Sequence, residues 1–307
     1  MKELRKIMKN NGEIIVKPID KDLAKDICIK NHYSKKWNGY FGRYNFGIFK
    51  VDNPDICLGC AVFGAMMNAQ SYKSINSKIK FEEIVELNRL WVDDCLGKNT
   101  ETVFLSLCFK LLKQNTNIKI VQSFADGRLG CGTIYKASNF KYYGFHKTLF
   151  FENIETKETI HKTNLEDTRS LARMTGDNLG YIRGQLIPFY VKTYRYIYYI
   201  DREYEKYSLL KEETYPKYQK GKEYVEFKQS IHVLSRCYYC AKYLGFDDIK
   251  EEFKSFLLNN FEKVELEKSL ERALSNQTLL SFIEKNKDNK KQLDIINKCD
   301  KKYKKLH

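Results

Sequence analysis

The chain has 307 residues, enough for one well-buried domain of about 200 residues and a smaller companion. Hydrophobic residues make up 43% and charged residues 30% of it, with only 4 prolines, a composition that excludes a disordered or collagen-like chain. A net charge of +15, most of it within residues 1–222, excludes an acidic solvating protein and implies a polyanionic partner, a membrane surface or a lysine-rich proteome, of which a phosphate backbone is the simplest partner.

No run reaches the roughly 18 apolar residues of a membrane span, and the charges of the first six residues have no apolar core behind them. The expected location is therefore the cytoplasm, with no membrane partner. Nine cysteines, an odd number scattered through apolar runs, fit reduced buried thiols rather than a secreted disulfide framework. In chain order, Ile14 to Pro18 reads as a strand and Asp22 to Asn31 as a helix ending at His32-Tyr33-Ser34. Phe46 to Val51 and Ile56 to Gly64 are apolar runs around Asp52-Asn53-Pro54-Asp55, the turn chemistry of a hairpin. Ile84 to Val92 is a further strand, and Thr102 to Lys113 carries apolar residues at helical spacing. A strand from Ile118 to Phe124, a short helix from Thr133 to Asn139 and long strands to about Ile160 complete a mixed α/β pattern over residues 1–220. From 221 to 307 the pattern is helical: Tyr224 to Leu244, Asp247 to Asn260, Glu262 to Leu274 and Gln277 to Lys285. Lys298 to Lys305 reads as a solvated, frayed basic run.

Ser123 to Phe140 runs from a strand end through a glycine-rich turn into a helix, the place where α/β sheets expose polar side chains to ligands. Asp126 is then either a strand-end carboxylate able to take a proton or the cap of the turn. Tyr135 either lines the cleft or packs in the core. Arg89, among Leu87, Leu90 and Trp91, either presents a guanidinium to a phosphate or carboxylate or pairs with Glu86 or Glu83. Asn99, Thr100 and Thr102 open a helix whose free N–H groups suit an anion, or simply cap it. His32, Tyr33, Lys35, Lys36 and Trp37 join a base, aromatic rings and cations, as a flipped nucleobase and its phosphates require, unless Trp37 is a core aromatic, and Arg43 and Arg173 are either further phosphate contacts or plain surface charges. Two Cys-x-x-Cys pairs occur; Cys57 and Cys60 are expected within one strand, facing opposite sides, and Cys237 and Cys240 on one helix face, so neither forms a zinc knuckle.

Asp126, the glycine turn, Gly132-Thr-Ile-Tyr-Lys-Ala-Ser-Asn-Phe140 and Tyr143-Gly144 together resemble the signature of the phage Mom family. His32-Tyr33-Ser34, Glu86-Leu-Asn-Arg89-Leu and Asn99-Thr100-Glu101-Thr102 also resemble that family, with Tyr194-Arg195-Tyr196-Ile197 and Tyr215-Pro216-Lys217 as its closing elements. The resemblance spans about residues 25 to 218. It implies a GNAT-like, acetyltransferase-type fold in residues 1–220, followed by a small all-α domain in residues 221–307. It also implies conversion of adenine in double-stranded DNA to N6-carbamoylmethyladenine in a bacterial host cell, which shields phage DNA from restriction. His32, Tyr33, Arg89, Asp126 and Tyr135 carry over as the active-site set. An acyl donor such as acetyl-CoA fits the fold, although Gly97 is the only glycine where its phosphate loop would lie. Iron has been linked to the family, with His32 and Asp126 or Tyr33 as the ligands available here. Two other readings stand beside this one: acylation of another amine (a modified pyrimidine, RNA or protein), and a non-catalytic DNA-binding module.

Overall fold

The computed structural model describes residues 3–8, 12–218, 221–286 and 289–303. Its first elements are β1 (Leu4–Met8), β2 (Gly12–Pro18), α1 (Lys21–Asn31), β3 (Tyr44–Lys50), β4 (Gly59–Gly64) and β5 (Ile84–Val92). There follow α2 (Thr100–Asn115), β6 (Ile120–Asp126), α3 (Thr133–Ala137), β7 (Lys141–Asn153), β8 (Thr159–His161), α4 (Lys162–Glu166), α5 (Leu171–Ile182) and β9 (Leu186–Tyr199). The C-terminal part holds β10 (Glu223–Tyr224), α6 (Ile231–Tyr243), α7 (Asp247–Asn260), α8 (Lys263–Leu274), α9 (Gln277–Asn286) and α10 (Lys290–Lys302).

The chain divides into two compact units, residues 1–146 with 192–220 and residues 147–191 with 221–307. Residues 147–191, which the sequence groups with the first domain, thus fold with the C-terminal helices. Gln219 and Lys220, at the expected boundary, lie outside the described residues.

In the first unit β1 to β5 are consecutive antiparallel neighbours, β5 and β6 are parallel, and β6 pairs antiparallel with the end of β9. Helix α2 covers one face, burying Phe104, Leu105, Cys108, Leu111 and Leu112 against Phe46, Phe63, Val85 and Val121. Helix α1 covers the other with Ala24, Ile27 and Cys28, over Cys60 and Val62. Because β4 is covered on both faces, it reads as a continuous apolar run rather than an alternating one.

Two features of β5 position the site. The parallel ladder to β6 runs only through Ile84–Ile120, Val85–Val121 and Glu86–Gln122, although both strands continue, so the sheet splits beyond Glu86 and Gln122. A bulge also lies opposite Val62 and Phe63: Arg89 pairs with Val62 and Leu87 with Phe63, leaving Asn88 as the extra residue. A bulge resets the side-chain alternation, so Asn88, which bonds Glu86, and Arg89, which packs on Phe41, both face the α1 side. This split mixed sheet with helices on both faces is the mixed α/β pattern expected from the sequence.

Three expectations are corrected. The second hairpin strand starts at Gly59, not Ile56, so Cys57 lies in the preceding turn with its thiol on the Gly59 carbonyl, while Cys60 meets Cys28 at 3.5 Å. The first C-terminal helix begins at Ile231, because Glu223 and Tyr224 pair with Tyr190 and Phe189 of β9. The basic run is not frayed from Lys298 to Tyr303, since it completes α10; Lys304 and Lys305 lie outside the described residues. In the second unit α10 packs on α5 where Gly176 and Gly180 leave room, with Cys299 over the first and the Tyr303 ring over the second. Arg183 holds the same end through Glu252, Asp300 and the Tyr303 carbonyl.

Candidate active site

Glu86 occupies the apex of the split. Asn88 Nδ2 donates to its Oε1 at 3.2 Å and Gln122 Nε2 to its Oε2 at 3.4 Å. No cation pairs with it among the described residues, and burial outweighs the two amide donors, so the carboxyl is pushed up to about 7. The amide oxygens Asn88 Oδ1 and Gln122 Oε1 are themselves buried without a hydrogen-bond partner among the described residues.

From the opposite face, α3 brings the Tyr135 hydroxyl to 3.0 Å from Ser123 Oγ, which also reaches the Leu87 carbonyl at 3.2 Å across the split. Burial pushes Tyr135 up to about 12, and the charges of Glu86 and Arg89 act on it. It is a neutral phenol at ordinary pH.

His32 caps the C-terminus of α1 and is buried, with Tyr33 stacked on it at 4.2 Å and itself 59% exposed. The Ser34 N–H donates to His32 Nδ1 at 3.1 Å, which places the ring proton of the neutral imidazole on Nε2. Burial, and then the charge of Arg89, lower this histidine to about 4. In this tautomer His32 donates a hydrogen bond and has no free lone pair for a proton. Arg89 holds its guanidinium over the Phe41 ring at 4.5 Å and donates through Nε and Nη2 to the Lys36 carbonyl, both at 3.2 Å. It makes no ion pair among the described residues, so the alternative of a bridge to Glu86 or Glu83 is not what the fold adopts.

Asp126 does cap the turn. Its carboxylate accepts the Arg128 backbone N–H at 3.0 Å and the Arg128 Nε at 3.0 Å, with Nη2 closing a fork–fork pair. Its charge reaches Tyr33, whose hydroxyl is raised first by lost hydration and then by Asp126. The five residues expected to form the site are therefore gathered around the split. Glu86, Ser123, Gln122 and Arg128 belong with them and were missed. For Arg128 the signal was Asp-x-Arg at the mouth of a glycine turn; for Glu86 it was a lone carboxylate within an apolar strand.

Residues 13–217 match the Mom protein family. The chain belongs to that family. This Mom-family chain is 29% identical over 215 residues to methylcarbamoylase Mom of Escherichia phage Mu, a match covering 67% of this chain and 84% of that protein. Arabidopsis thaliana NAA60, in one structure in complex with a bisubstrate analogue and in another with acetyl-CoA, aligns with 61% of the chain and 97 and 99% of its own length, at 11% identity and a TM-score of 0.37. FeeM, an N-acyl amino acid synthase from uncultured soil microbes, aligns at 11% identity over 64% of the chain and 95% of its own length, with a TM-score of 0.33.

The remaining expected residues are more scattered. Asn99 adopts a left-handed φ of 66° and makes no side-chain cap to α2. The Thr100 hydroxyl is buried and used on the Leu96 and Gly97 carbonyls at 2.6 and 2.9 Å, so it cannot serve a ligand. Backbone N–H groups and the part-buried Thr102 are left, beside the acidic Glu101. Lys35, Lys36 and Arg43 are exposed near the His32 loop, whereas Trp37 is part-buried and edge-on to Phe41 at 5.7 Å, in the apolar cluster under α1. Arg173 is exposed on α5, in the second unit. The iron expectation gains no support: among the described residues no group of three or more His, Cys, Asp or Glu is placed to hold a metal. His32 Nδ1 and the Asp126 oxygens already have partners. Among the described residues no helix is long and apolar enough to cross a membrane.

Proposed function

We propose that this chain is a transferase that modifies the exocyclic N6 amine of adenine in double-stranded DNA, adding a carbamoylmethyl or related group that blocks restriction. Family membership and the activity named for the phage Mu relative support the reaction class. The observation that carries the reading is Glu86: a carboxyl pushed up to about 7, held by the Asn88 and Gln122 amides at the apex of the split with no cation paired to it among the described residues.

The N6 lone pair is delocalised into the ring, so a proton must leave as the new bond forms. Of the groups gathered here, Asp126 is tied to Arg128 and His32 presents only a donor. Glu86 is the carboxyl left to accept that proton, at a pKa suited to neutral pH. Tyr135 donates a hydrogen bond toward charge that develops at the split, and Arg89 offers its guanidinium to an anionic group of the donor. The exposed Tyr33, next to Lys35 and Lys36, stacks on the base once it leaves the duplex. The start of α2 suits the pyrophosphate of a coenzyme-A donor poorly, because the Thr100 hydroxyl is already used, Gly97 is the one glycine there and Glu101 adds negative charge. Plasmid DNA from cells expressing the chain should yield an adenosine of altered mass, lost in Arg89→Ala. Unaltered adenosine alongside acylated RNA or protein overturns the reading.

A further inference from the structure

Beyond the groups assigned above, β9 carries a cation that no carboxylate among the described residues pairs with. In the β6–β9 ladder Phe124 lies directly opposite Arg195, Gln122 opposite Ile197 and Asp126 opposite Thr193. Opposed residues in an antiparallel pair share a face, and alternate residues of one strand do too. Arg195 therefore emerges on the same face as Gln122 and Asp126, one pair along from the apex of the split. Its side chain is part-buried, and Nε is fully buried with no hydrogen-bond partner among the described residues. The guanidinium makes no ion pair there and only lies over the Phe124 ring, at 5.6 Å. Burial lowers its pKa and no carboxylate opposes that shift. The acids on this face are already accounted for, Asp126 by Arg128 and Glu86 by its own raised pKa. His146 stands edge-on to the same Phe124 ring at 5.5 Å, and burial and the charge of Arg195 lower its pKa, so it is neutral and keeps one N–H to donate.

We propose that Arg195, with His146 beside it, seats a phosphate group on the cleft face of the sheet. A guanidinium fork and a neutral imidazole N–H suit a tetrahedral anion, and no carboxylate among the described residues already occupies the guanidinium. The phosphate belongs either to the nucleic-acid strand or to a nucleotide-containing donor, and the inference holds whichever amine is modified.

The test uses the full chain as wild type, Arg195→Gln and Arg195→Lys. Binding is measured for a labelled DNA duplex across a salt series, for coenzyme A and for inorganic pyrophosphate. Arg195→Gln should weaken at least one of these about tenfold or more, while Arg195→Lys keeps most of the affinity. If the duplex is affected, the slope of log affinity against log salt should fall by about 1, which assigns the phosphate to the strand. An effect on coenzyme A or pyrophosphate alone assigns it to the donor. Because the charge has no internal partner, the melting temperature of Arg195→Gln should not fall below that of wild type. Unchanged binding of all three probes in Arg195→Gln, no binding of any probe by wild type, or a clear drop in melting temperature would each overturn the proposal.

Discussion

At Glu86 the folded chain holds a proton up to about pH 7, whereas the unfolded chain releases it near the ordinary value of 4.5. The native state binds more protons between those values, so this residue costs stability progressively as pH rises from 4.5 to 7, by about 3 kcal/mol at most. His32 works in the opposite sense. Its folded value of about 4 lies below the ordinary 6.5, so its contribution is present above pH 6.5 and is lost as pH falls toward 4. The two slopes oppose each other between about pH 4.5 and 6.5 and should largely cancel in wild type. Glu86→Gln should therefore melt higher than wild type at pH 8, with the gap closing by pH 4.5, and His32→Gln should lose the acid-side decline; melting curves across that range check both. A second expectation concerns Asp126. If it acts by fixing the glycine turn, Arg128→Gln should lower activity about as much as Asp126→Asn, by roughly tenfold or more given how steeply rate depends on placement; activity retained in Arg128→Gln alone would assign Asp126 a direct role. The residue types at His32, Tyr33, Arg89, Asp126 and Tyr135 were legible in the sequence. Their pairings were not, because the bulge at Asn88 brings Arg89 to the α1 side, where it takes the Lys36 carbonyl and not a carboxylate, a register effect that composition does not encode.

Among the elements, β5 and α7 were legible to the residue, since strong periodicity and a clear start at Asp247-Asp248 delimit them. Helix α5 and strand β9 were not delimited, and α10 read as a charged tail. In α10 the apolar signal is short, with Ile296 fully buried, Leu293 and Ile295 partly so, Cys299 and Tyr303 completing the stripe, and lysines at both ends. What makes it a helix is the surface it meets, two glycines one turn apart on α5. A Cβ at Gly180 would lie 2.7 Å from the Tyr303 ring and one at Gly176 would lie 2.5 Å from Cys299 Sγ. Gly180→Ala should cost about 1–3 kcal/mol by overpacking, seen as a lower urea midpoint. An unchanged midpoint would mean that α10 does not depend on that close approach.

Over the whole molecule the sequence marks a composition change near residue 220, yet the second unit reaches back to take residues 147–191. Leu171, Met174 and Leu179 of α5 are buried in one cluster with Leu234, Cys237 and Cys240 of α6 and Phe253 of α7. A chain ended at residue 220 would expose that surface, so it should be recovered mainly as aggregate, whereas a soluble, protease-resistant 1–220 fragment would show that residues 147–191 fold without the C-terminal helices. The excess of positive charge, by contrast, was legible at once and fits a phosphate-bearing partner. The central claim is that the split in the first unit modifies adenine in DNA with Glu86 as the proton acceptor. Nucleoside mass spectrometry of plasmid DNA from cells expressing wild type or Glu86→Gln tests it most directly. A new adenosine species in wild type, reduced about a hundredfold or more in Glu86→Gln, is the expected result; the same species in equal amount from both would contradict it.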